Sequence, residues 1–233
     1  MKKGSYTVFH LLPVTAAFLA WIGDLLLGYV QPGGMGMYGM VQTGWADVAF
    51  WRPALSMAFA AVAFPLQAVG LYAAARQMTS VSPRTGRRFF VLGGLAVLGG
   101  LFIHAFFCLP QAAYRFMAQG GDLDRALRLT DRLYAVMTPT IGITLALYAV
   151  ALVFMFGTVV TGKTPYPRWC AAANPLAVAC VTVPVWLAWR DSATAYAFML
   201  GTPNLGMLLF FLVTAVQGRT LRKEGRNLPL LGL

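Results

Sequence analysis

The sequence predicts an all-α protein, a polytopic transmembrane helix bundle of about six spans (six or seven), forming one integral membrane domain over residues 1–233. Three observations predict it. Of the 233 residues, 59% are hydrophobic and only 11% charged, where soluble domains carry about 25% charged residues. Mean hydropathy is +0.68. The apolar residues gather into runs at about 8–30, 54–76, 89–112, 135–160, 170–189 and 196–217. At about 1.5 Å per residue, each is long enough to cross about 30 Å of hydrocarbon. No polar linker and no internal repeat divides the chain.

The first run opens as MKKGSYTVFHLLPVTAAFLA, with the charged start of a signal peptide. Its apolar character continues to Val30, so it reads as a retained first helix. The loop 31–53 is rich in Gly, Met and Trp. It is expected either to lie in the membrane interface, with Trp45 and Trp51 as belt aromatics, or to fold back over the helices. The second helix begins at FWRPA, with Pro53 in its first turn, where a missing N–H is harmless. Residues 121–134 place Leu123, Ala126, Leu127 and Thr130 on one helical face. They predict a short amphipathic helix leading into the fourth span. The sixth run contains GTPNLG, residues 201–206. Pro203 removes a helical hydrogen bond there, which predicts a break in a setting lined by protein or water.

The formal net charge of +11 would suggest nucleic acid in a soluble protein. Here the basic residues lie in loops between apolar runs, as the positive-inside bias requires, so no nucleic-acid partner is expected. Twelve of the 18 Lys and Arg residues (Lys2, Lys3, Arg76, Arg84, Arg87, Arg88, Lys163, Arg168, Arg219, Arg222, Lys223 and Arg226) fall on one side if the N-terminus is cytoplasmic. The expectation is that both termini are cytoplasmic. The basic tail GRTLRKEGR is expected to meet anionic headgroups. The acidic residues, Glu224 excepted, fall toward the opposite face.

Asp24, inside the first run, sets the main question. An Asp near the middle of a membrane helix costs roughly 2.5–3.5 kcal/mol on insertion scales. It shares a four-residue row with Ala16, Ala20 and Gly28. Small residues let a neighbouring helix approach closely, so Asp24 is expected to face protein. In the third run His104 shares a row with Ala96, Gly100, Cys108 and Ala112 and is expected to face protein at similar depth, within one water of Asp24. Asp24, Asp47, Arg52, His104, Thr140, Arg190 and Asn204 are expected to converge on an outward-side chamber. Thr140 heads a row with Thr144 and Tyr148. Asp24 is the candidate proton donor, with His104 or Asp47 as the group that removes or relays the proton. Trp51, Phe106, Phe107 and Trp186 are candidates to face a cationic intermediate. The candidate substrate-binding set is Trp51, Arg52, Phe107, Thr140, Trp186, Arg190 and Asn204.

His10 and His104 are the two histidines and sit at opposite ends of their helices, so haem and a multi-His zinc site are not expected. Cys108, Cys170 and Cys180 form no CxxC pair. No metal or cofactor is expected, and no Walker, Rossmann, GxSxG or HExxH pattern occurs.

The segments GDLLLGY (23–29), WRPALS (51–56), IHAFF (103–107) and YPRWCAAANPLAV (166–178) resemble those of an uncharacterised bacterial family of small multi-helix membrane proteins. The resemblance covers most of the chain. It implies a helical fold in a bacterial cytoplasmic membrane, with lipids as neighbours, and it implies no activity.

The leading expectation is an enzyme performing acid–base chemistry (isomerisation, cyclisation or hydrolysis) on a lipid- or isoprenoid-like substrate. The alternatives are a binding or transport protein gated by the sixth helix, and a structural or accessory subunit. An enzyme should show an apolar pocket opening sideways to lipid. A transporter should show a polar path to the inner face.

Overall fold

The computed structural model describes residues 3–36 and 41–224. Lys2, Arg226 and loop residues 37–40, which belong to segments assigned above, lie outside the described residues. The helices are α1 (Lys3–Gly28), α2 (Trp51–Thr79), α3 (Pro83–Gln119), α4 (Leu123–Val160), α5 (Pro175–Ala188), α6 (Ala193–Leu200) and α7 (Thr202–Lys223). Five of them, α1 to α4 and α7, are long and apolar enough to cross a membrane. The protein is therefore an all-α, multi-pass membrane bundle.

The α1–α2, α2–α3 and α3–α4 pairs pack as successive hairpins, and α7 returns against α1. Small residues set the α1–α2 approach. Ala16, Ala17, Ala20 and Ala63 are fully buried, and Gly70 lies so near Pro13 and Phe211 that an added Cβ would overlap both side chains. The row Ala16, Ala20, Asp24 and Gly28 faces protein as expected, while Phe18 on the other side is exposed. Arg219 of α7 lies close enough to His10 of α1 to act on it electrostatically. The starting end of α1 and the closing end of α7 therefore leave the bundle on one side.

The expected fifth span resolves differently. A 3₁₀ turn occupies Arg168–Ala173, and α5 has 14 residues, about 21 Å, short of a full crossing. Asn174 explains the restart. Its side chain accepts from Leu176 N at 2.8 Å and donates to Leu152 O at 3.1 Å, while Pro175 sits at the first helical position. The sixth run divides at Gly201 into α6 and α7, two residues before Pro203. Backbone bonds Gly201 N to Ala197 O and Leu205 N to Gly201 O bridge the joint, so the interruption is local.

The loop after α1 folds back over the bundle. A two-residue pairing, β1 (Gly34–Met35) with β2 (Val41–Gln42), is antiparallel, and a 3₁₀ turn at Thr43–Asp47 follows. Trp45 is 4% exposed and packs against Tyr114 and Tyr134, so it is a core residue of this cap and not a belt aromatic. The expected amphipathic helix at 121–134 is the first part of α4. It buries Ala126, Thr130 and Tyr134 under the same cap, but leaves Leu123 exposed.

Glycine substitutions separate packed from lipid-facing positions. Gly70→Val should lower the thermal midpoint of the detergent-solubilised protein, by overpacking worth about 1–3 kcal/mol. Gly94→Ala should not lower it and should raise it slightly, because nothing lies within 4 Å of that Cβ and alanine is the better helix former by about 0.5–1 kcal/mol.

Candidate functional site

Five buried side chains form one hydrogen-bonded chain across four helices. Asp24 lies one turn before the end of α1. Its Oδ1 stands 3.2 Å from His104 Nδ1 on α3, so the expected approach of these residues is a direct contact with no bridging water. Its Oδ2 accepts from Asn204 Nδ2 on the first turn of α7 at 2.8 Å. Asn204 Oδ1 accepts from Gln67 Nε2 of α2 at 3.3 Å. On the other side, His104 Nε2 lies 2.7 Å from Ser56 Oγ of α2, whose hydroxyl donates to Gly23 O at 2.9 Å. All five residues are at most 7% exposed.

The proton inventory follows from Ser56. A hydroxyl has one hydrogen. Donated to Gly23 O, it leaves Oγ to accept from His104 Nε2–H. That fixes Nε2 as the protonated nitrogen and leaves one further proton in the Nδ1···Oδ1 contact. The pair is either imidazolium with carboxylate or neutral imidazole with carboxylic acid. Both states are neutral overall, which suits an apolar surrounding.

The atoms connect as in a Ser–His–Asp triad, but the order of exposure is reversed. Asp24 and His104 line an internal cavity of about 310 Å³, and Ser56 does not. Ser56 is fully buried, and its hydrogen is committed to Gly23. It orients the imidazole, and the carboxylate is the group presented to the cavity.

Asp24, Gln67, His104, Thr144, Tyr148 and Asn204 supply the polar groups of the wall. The remainder is apolar, including Phe64, Leu71, Phe89, Phe107, Met155 and Met207. Both α4 and the α6–α7 joint line it, yet α4 and α7 barely touch among the described residues. Along that gap Leu145 is 51% exposed and Pro203 is exposed. The mouth therefore faces sideways. Toward the other end the wall merges with the core cluster of Leu71, Phe89, Val97, Leu152 and Met155.

Four of the expected site residues meet here: Asp24, His104, Asn204 and Phe107. The others are placed elsewhere. Asp47 is exposed at the end of a 3₁₀ turn in the cap. Trp51 is 58% exposed. Arg52 donates from Nε to Leu26 O at 2.9 Å and from a terminal guanidinium nitrogen to Tyr29 O at 2.7 Å. It therefore caps the end of α1, where carbonyls lack helical partners. Thr140 is exposed on α4, although Thr144 and Tyr148 of its row do line the cavity. Arg190 stacks over Trp186 at 6.0 Å at the end of α5, and neither lines the cavity. Phe106 pairs with Phe102 instead. Sequence reasoning missed Ser56 and the role of Gln67. The signal is the α2 row Ser56, Ala60, Ala63, Gln67 and Gly70, whose small members mark a buried helical face.

The chain matches the Family of unknown function (DUF6796) over residues 1–219. It belongs to that family. Comparison with curated proteins and with solved structures returns no match. The WR of the family-like segments contributes Arg52, the cap on α1, the GD and HA contribute Asp24 and His104, and the NP restarts the chain at α5.

Ser56→Ala should lower stability by about 1–3 kcal/mol, because it leaves His104 Nε2–H buried without an acceptor. Asp47→Asn, on the exposed turn, should leave the thermal midpoint unchanged.

Proposed function

We propose that this family member is an enzyme of a bacterial cytoplasmic membrane that performs acid–base chemistry on an apolar, membrane-soluble substrate. Asp24 exchanges the proton with the substrate, and His104 shares and relays it. Ser56 and Asn204 hold the pair in register. The observation that carries this reading is a buried Asp–His pair presented to an otherwise apolar cavity with a sideways mouth. Such a mouth admits a molecule from the hydrocarbon without a passage through water. The substrate class is lipid- or isoprenoid-like, and the reaction an isomerisation, cyclisation or hydrolysis. The transport alternative needs a polar path to the inner face. Beyond Gln67, the cavity wall in that direction is made by Leu71, Phe89 and Met155, which favours the enzyme.

Asp24→Asn keeps size and hydrogen bonding, since its amide can donate to His104 Nδ1 while its carbonyl accepts from Asn204. Turnover of the apolar molecule that co-purifies with the protein should fall on the order of 10²- to 10⁴-fold, with the thermal midpoint nearly unmoved. Near-full turnover would make Asp24 a packing device. Should the variant unfold, His104→Gln provides the same comparison.

We also propose that both termini are cytoplasmic, on the strength of the twelve-to-six distribution of basic residues. A Glu224→Cys variant should react with a membrane-impermeant maleimide only after cells are opened. Labelling of intact cells would reverse the topology.

A further inference from the structure

Tyr148 is the one cavity-lining group whose buried polar atom has no hydrogen-bond partner among the described residues. Asp24, His104, Asn204 and Gln67 satisfy one another. Tyr148 joins the cavity wall from α4, which contributes no member of that network. Side chains on a helix lean toward its N-terminus. For α4 that is the end at which Asp24 lies, and the two groups are close enough to interact electrostatically.

A buried, uncommitted O–H calls for an acceptor. Nothing among the described residues supplies one, although an interior donor without a partner costs about 1–3 kcal/mol. The acceptor is therefore expected on the ligand. A carboxylate or phosphate would bring an uncompensated negative charge into an apolar chamber whose Asp24–His104 pair is already neutral overall, which desolvation opposes. A neutral carbonyl oxygen fits both the donor and the surroundings.

Resting on the acid–base reading of this site, we propose that the substrate is an apolar ketone or related carbonyl compound, and that the Tyr148 hydroxyl binds its carbonyl oxygen. The Asp24 carboxylate then takes a proton from the carbon beside the carbonyl. The C–H electron pair moves into the new C=C bond, and the carbonyl π pair moves onto oxygen, where the Tyr148 O–H stabilises the enolate. Asp24 passes that proton to solvent through His104 and takes another, or keeps it, and then delivers one proton to that carbon or, in a conjugated compound, to one further along. The net change is an isomerisation or an exchange of hydrogen, with no oxidant or co-reactant. Tyr148 is here a catalytic residue by direct contact with the reacting oxygen.

The full chain in lipid nanodiscs, given 2-tridecanone as probe, tests this. Bound ketone should show a lowered C=O stretching frequency in the wild type, and Tyr148→Phe should return it to the value in lipid alone. In D2O the wild type should speed deuterium incorporation beside the carbonyl above the protein-free rate. Tyr148→Phe should slow that incorporation about 10²- to 10³-fold, the loss expected for one oxyanion donor. Asp24→Asn should abolish the incorporation while keeping the lowered C=O frequency. That difference distinguishes failure of the carbonyl assignment from failure of the acid–base reading. The Tyr148→Phe protein should be no less stable than the wild type, because the hydroxyl removed has no partner. The proposal is overturned by absence of saturable ketone binding, by a C=O frequency unaffected by Tyr148→Phe, by 2-tridecanol binding as tightly as the ketone, or by a lower thermal midpoint for Tyr148→Phe.

Discussion

A carboxyl group inside an apolar bundle must be given partners, and the arrangement of four helices follows from supplying them to Asp24. One oxygen takes His104 from α3 and the other takes Asn204 from α7. Each partner then needs its own second contact, which α2 provides at Ser56 and Gln67. A helix shifted by one turn, about 5.4 Å, would break at least one of these bonds and leave a buried polar atom unpaired. The network thus fixes the relative depth of α1, α2, α3 and α7, a role that apolar packing against lipid-like neighbours performs less strictly.

The end of α1 shows a second use of polar groups. Ser56 reaches Gly23 O, Arg52 reaches Leu26 O and Tyr29 O, and Gln111 reaches Leu27 O at 3.2 Å. Gly23 O lies inside α1; the other three carbonyls lie at its terminus, where backbone acceptors lack helical partners and where a positive guanidinium complements the helix dipole. Arg52 thereby secures the helix that carries Asp24, without entering the cavity itself.

The sideways mouth arises from what does not pack. α4 is held by α3 along its length, but among the described residues its other flank meets the cap only at its start and, beyond that, only the short α5 and the nearby 3₁₀ turn. The α6–α7 joint stands opposite, with Gly201 pressed on Trp21, where an added Cβ would lie 2.9 Å from the ring. Pro203 then faces the gap. Two of the features that set the cavity apart from a closed core, the shortness of α5 and the interruption at Gly201, each lie beside a proline. Pro175 and Pro203 both deny the chain a continuous helical ladder.

The sequence by itself determined the membrane class, the apolar helices and the inward facing of Asp24 and His104. These are periodic properties: an apolar run of sufficient length, and small residues four apart on the faces that meet other helices. Asn204 was legible beside its proline for the same local reason. Only the tertiary structure decided which remaining polar residues share the site. Asp47, Trp51, Arg52, Thr140, Trp186 and Arg190 all lie near the same membrane face in the sequence pattern. Depth does not fix position around the bundle, however, and residues 41–50 fold into a cap that carries Asp47 away. Ser56 and Gln67 were hidden for the converse reason. A hydroxyl or amide on a membrane helix is unremarkable until a neighbour brings an imidazole or another amide to within hydrogen-bonding distance, and that proximity belongs to the packing of helices far apart in the chain.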